Sequence, residues 1–227
     1  MQQMTDIVRR ARRRMARTTR SWRLAVDNRA TVLIEMAFCI PLLVLVGFGG
    51  LEIANLTLAH TRISQIGLGT ADNAARIAVG SSLQLPRIRE VDVNEVFTGA
   101  EQQAGGMNLR ARGKIILSSL EQNSEGGQWI HWQRCFGQLP VQSSFGTAGD
   151  GATGVAFEGM GPAGHKVTAP FGSAVMFVEI VYQYRPLLYG RWLGPRTIRS
   201  TAAFNIREGR ELAVPQPTTG VTASTCT

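Results

Sequence analysis

Apolar and polar positions divide the chain into one very long helical signal followed by shorter alternating runs. Residues 30–51 are almost continuously apolar or small, and no charged side chain occurs from Met36 to Leu51. As a helix, residues 32–51 cover about 30 Å, the thickness of a bilayer's hydrocarbon core. Pro41, Gly47, Gly49 and Gly50 are tolerated in such a span and loosen it. Glu52 and Asn55 mark its exit to the polar side. Beyond them Ile63, Ile66, Thr70, Ala74 and Ile77 recur at helical spacing, with Arg62, Gln65, Asp72, Asn73 and Arg76 on other faces. The pattern predicts one helix from near Thr31 to about Val79, stopped by Gly80 and the break at Leu85 and Pro86.

A second helix is predicted over 93–104. Asp92 and Glu95 have capping-box spacing, Val93, Val96, Phe97, Ala100 and Ala104 form its apolar face, and Gly105 and Gly106 end it. Alternation then replaces the helical period. Residues 109–119 read as a strand with Arg110, Arg112 and Lys114 on one face, 121–127 as a turn, and 128–134 as a second strand, so that 109–134 forms a hairpin. Seven glycines and Pro162 between Gly146 and Gly164 give a long loop with the composition of a mobile one. Residues 174–184 are the strongest strand and are expected at the centre of a sheet; 196–206 form a fourth strand. From Pro215 the chain reads as a Thr- and Ser-rich tail. The expected class is α+β: a long N-terminal helix packed on a small antiparallel sheet.

Charge sharpens the membrane reading. The net charge of +8 invites a nucleic-acid interpretation, but nine arginines against Asp6 and Asp27 lie before Thr31, a net of +7 in that segment. The rest, with 15 basic and 14 acidic residues, is nearly neutral. No aromatic stacking platform accompanies the arginines, so nucleic acid is not expected as a partner. Like charge beside an apolar span is a topology signal that holds the N-terminus in the cytoplasm and sends the remainder outside. The run is too long for a secretory h-region, contains Glu35 and lacks a convincing small-residue cleavage site, so a retained anchor is expected.

Of three cysteines, Cys39 lies in the apolar run, and Cys135 and Cys226 lie beyond it. An oxidising exterior permits one disulfide between the latter two, closing a loop of about 90 residues worth about 4–5 kcal/mol in the chain-entropy model. Two unpaired thiols are the alternative. His60, His131 and His165 are scattered, and neither metal-ligand spacing nor a nucleophile motif appears. No catalytic residue, metal or cofactor is therefore expected. Glu179 reads as a solvent-facing acid in its strand, His131 as a surface residue, and Trp129 and Trp132 as core or rim. Glu35 stands apart, because a carboxylate near the end of a span costs about 3 kcal/mol. It snorkels to the interface, meets a polar group of a membrane partner, or neutralises a new α-amine. The last follows if the chain is cut between Ala30 and Thr31, which puts Glu35 about one helical turn from that amine.

The run of Asn28, Arg29, Ala30, Thr31, Glu35, Met36, Ala37, Phe38 and Pro41, followed by Gly50, Leu51 and Glu52, resembles the N-terminal signature of TadE-like proteins, pseudopilins of the tight-adherence (Tad, Flp-type) pilus system. Trp132, Gln133, Arg134 and Cys135, and later Tyr182, Tyr184, Arg185, Pro186 and Leu187, are similar to its C-terminal half. The resemblance implies a pilin-like α+β fold in an inner-membrane, single-pass subunit that is not an enzyme and has its soluble domain in the periplasm. It also implies partners among other pilus subunits and assembly-platform proteins, and processing by a prepilin peptidase at Ala30 and Thr31. Ala30 stands where the family has Gly and Met36 where it has an aromatic residue, so an uncut, membrane-anchored scaffold unrelated to the fibre remains the alternative. The implied organisation is a basic cytoplasmic leader or tail (1–30), a transmembrane helix (31–59), its continuation into the periplasm (60–80), a periplasmic α+β domain (81–212) and a C-terminal tail (213–227).

Overall fold

A computed structural model describes residues 29–77, 80, 85–187, 194–207 and 209–226. The basic leader up to residue 28 and the expected helix end at Val79 lie outside the described residues. Helix α1 runs over Arg29–Arg76 and is followed by α2 (Glu90–Ala104), a 3-10 turn (Gly105–Met107), α3 (Leu109–Arg112), and strands β1 (Gly113–Gln122), β2 (Gln128–Phe136), β3 (Ala174–Tyr184) and β4 (Arg196–Asn205). The chain divides into two compact units, Met1–Leu51 and Glu52–Thr227.

In the first unit α1 is solvent-exposed at nearly every described position, with Leu33, Phe38, Leu42, Leu43 and Val46 all more than 60% exposed. Among the described residues α1 is the one helix long and apolar enough to cross a membrane. Its helical backbone continues through Pro41, Gly47, Gly49 and Gly50.

In the second unit the sheet order is β2-β1-β3-β4, antiparallel throughout. Both faces of the central strands are covered, which explains why nine of the eleven residues of β3 are buried without interruption rather than alternately. Ala59, Ile63, Ile66, Ala71 and Ala74 of α1, with Val93, Phe97 and Ala100 of α2, share one core with Ile115, Leu117, Met176, Val178 and Ile180. This is the helical stripe read in the sequence; Glu52 and Ala59 are already buried, and the second unit begins at Glu52. Opposite lies a second core of Leu120, Ile130, Met160, Val175 and Phe177, packed with Phe145, Phe157 and Val167.

Three expectations change. First, residues 109–112 are a helical turn. Asn108 adopts a left-handed conformation (φ 52°) and its Oδ1 accepts the Ala111 N–H, which turns the chain before β1 begins at Gly113. Second, α2 starts at Glu90. The Arg89 N–H donates to Asp92 Oδ2 at 3.0 Å, while the Glu90 N–H donates to the Gln216 carbonyl at 2.9 Å, so the supposed tail completes the helix start. Third, the glycine-rich segment is a tied-down layer. Asn123 Nδ2 donates to the carbonyls of Gly151 and Gly154 at 2.8 and 2.7 Å, and Ile130 exchanges backbone hydrogen bonds with Gly149 and Asp150. At Gly151 (φ 78°) a side chain would collide with the Gln128 carbonyl and Phe157, so glycine here serves close approach rather than freedom.

Candidate functional site

Ala30 and Thr31 lie in the first turn of α1, and Glu35 follows one turn later on the exposed surface. Four residues is the spacing at which helical side chains neighbour one another. A carboxylate here is therefore near whatever stands at position 31. Cys39, one further turn on, is a free, exposed thiol.

A second acid, Glu52, opens the second unit and is 6% exposed. Its Oε1 accepts the Tyr184 hydroxyl at 2.6 Å and its Oε2 accepts the Leu187 N–H at 3.0 Å. Asn55 Nδ2 donates to the same tyrosine oxygen at 2.6 Å. Burial, and then the Glu52 carboxylate that accepts its proton, hold the Tyr184 hydroxyl above the ordinary phenol range. A phenol kept neutral serves as a fixed donor, and the group ties the end of β3 to the first residues of α1 in this unit.

Glu179 is not the solvent-facing acid expected from its place in β3; it is 1% exposed. Residues 143–145 cross over this face of the sheet. Ser143 Oγ and the Ser144 N–H each donate to Oε2 at 2.9 Å, and Arg199 Nη1 donates to Oε1 at 3.0 Å. The carboxylate thereby clamps the covering segment to β3 and β4. His131 is likewise half-buried rather than a surface residue. Its Nδ1 lies 2.9 Å from Glu121 Oε2, its ring stacks on Trp129, and Ser119 Oγ donates to Glu121 Oε1 at 2.7 Å. Serine and imidazole both address the carboxylate, and Ser119 is 1% exposed, so the trio lacks the serine-to-imidazole bond and the access that nucleophilic catalysis needs. Trp132 is buried, in the core as expected.

Arg210 escapes notice in the sequence. It is buried, and its Nη1 donates to the carbonyls of Ala74 and Ile77 at 3.2 and 2.7 Å, closing the end of α1. Burial pulls its guanidinium down to about 10, opposed by the Glu121 charge, and it remains a cation at neutral pH. Among the described residues no group of three His, Cys, Asp or Glu is placed to hold a metal ion.

Cys135 and Cys226 are bonded, across a sequence separation of 91. The Cys135 N–H donates to the Ser224 carbonyl at 2.7 Å, and Ser224 Oγ and the Thr222 carbonyl engage the Asn94 side chain of α2. The C-terminal segment is thus fastened along α2 and β2, not a free tail. No family model, curated protein or solved structure matches the chain.

Proposed function

We propose that the chain is a membrane-anchored, non-enzymatic component of a tight-adherence (Tad, Flp-type) pilus system, a TadE-like minor pseudopilin or assembly protein that works through contacts with pilus subunits and assembly-platform proteins. The observation carrying this reading is the single helix Arg29–Arg76. Its first half is an exposed apolar rod interrupted by Glu35, and its second half is a core element of a disulfide-bonded α+β unit. The arginines before it favour a cytoplasmic N-terminus, and the disulfide favours an oxidising compartment such as the periplasm.

Under this reading a prepilin peptidase cuts between Ala30 and Thr31, and Glu35 neutralises the new amine. Mass spectrometry of the protein recovered from membranes is then expected to give Thr31 as the first residue. Glu35→Ala is expected to abolish assembly while leaving insertion intact, since it removes a carboxylate that costs about 3 kcal/mol in the bilayer. Undiminished pilus output from that variant would sink the pairing. One observation favours an uncut anchored scaffold: helical backbone already begins at Arg29, so the 30–31 bond is not in the extended segment that proteases prefer. An intact N-terminus in the recovered protein selects that form.

A further inference from the structure

In the soluble unit, a cavity of about 390 Å³ is framed by α1, the 3-10 turn, α3 and the end of β3. Arg62, Arg112 and Arg185 line it, and among the described residues no Asp or Glu does. Among the described residues none of these arginines has an ion-pair partner. The neighbouring acid, Glu52, faces the Tyr184 hydroxyl and the Leu187 amide. Three cations gathered without a counter-charge call for an anion from outside the chain, and guanidinium forks match the paired oxygens of a phosphate.

The position of the cavity says which phosphate. Asn55, in its wall, is four residues past Leu51, so chain connectivity alone keeps it within about 14 Å of the end of the apolar run. Glu52 is the one charged residue between Leu51 and Arg62 apart from what His60 carries when protonated, and it is buried. Ile53 and Leu58 are 67% and 60% exposed and carry apolar surface past Leu51, which makes Arg62 the first cation beyond a span, where such side chains reach for the headgroup layer. Leu58 and Leu187, the latter 69% exposed, set apolar surface beside the arginines. A free phosphate has no use for that surface; a glycerophospholipid does.

We infer that this cavity binds the phosphodiester headgroup of an anionic phospholipid, holding the soluble unit to the leaflet from which α1 emerges. The inference rests on the membrane-anchored reading above. Its test uses the full chain in detergent, titrated with phosphatidylglycerol or phosphatidylcholine and read by native mass spectrometry, with inorganic phosphate as competitor. The expected result is a retained phosphatidylglycerol adduct. Affinity falls about fivefold for each arginine replaced by Gln at 62, 112 or 185, and about a hundredfold for all three. Arg76→Gln, whose arginine is already paired with Asp72, leaves it unchanged. The basic leader is common to every variant and cancels in the comparison. Equal retention of phosphatidylcholine, displacement by inorganic phosphate, or undiminished binding in the triple variant overturns the proposal. So does undiminished binding in Arg62→Gln alone, a change on an exposed helical face that leaves the core intact. Failure of the wild-type chain to incorporate into vesicles overturns the anchored reading as well, whereas incorporation without headgroup preference overturns only the lipid site.

Discussion

At the scale of single residues, the second unit, Glu52–Thr227, depends on buried acids whose partners lie far away in sequence. Tyr184 is 132 residues from Glu52 and Arg199 is 20 residues from Glu179. Tyr184→Phe removes a donor from a buried carboxylate and is expected to cost about 1–3 kcal/mol, measured by chemical denaturation of the detergent-solubilised chain. An unchanged midpoint would mean that water replaces the hydroxyl. Glu52 is legible as the polar exit from the span and Tyr184 as the end of a strand, but periodicity carries no information about their pairing. Glu179 is misread for a related reason. A lone acid in a strand looks solvent-facing because alternation reports on the strand itself and not on a loop that later crosses it.

At the scale of elements, α1, β3 and β4 are readable nearly to their ends, because long runs with one period outweigh local exceptions. The short turn Leu109–Arg112 is not, since its four residues hold too little pattern and its cap depends on the left-handed Asn108. The start of α2 is hidden because its partner, Gln216, comes from the other end of the chain. The end of α1 offers a pH test. Asp72 bonds to Arg76 and to Arg207, and these guanidiniums, Arg76 first, hold its carboxyl below the usual 3.8. A carboxyl depressed on folding stabilises above its unfolded value, and that contribution disappears as the pH falls through the folded value. As the pH is lowered from about 4, thermal melts are therefore expected to fall more steeply for the wild type than for Asp72→Asn. Parallel curves would show that the two arginines do not discriminate between the protonation states.

At the scale of the whole molecule, the covering layers explain both what the sequence conveys and what it withholds. The α+β class and the rod-like first half of α1 come from patterning, whereas the glycine-rich layer and the C-terminal segment look unstructured because their order is supplied by partners elsewhere. The Cys135–Cys226 bond makes that dependence measurable. Replacing both cysteines by Ser is expected to cost about 2–5 kcal/mol and to raise amide exchange along residues 214–226 and the first turns of α2. Unaltered exchange there would mean that the hydrogen bonds to Ile88, Glu90 and Asn94 hold the segment unaided.

Arg210 and Gln216 close helix ends that the ribosome makes more than a hundred residues earlier. A nascent polypeptide therefore cannot finish this domain while its last stretch is still being translated. Molecules truncated before residue 210 carry the end of α1 and the start of α2 open, which exposes them to proteolysis.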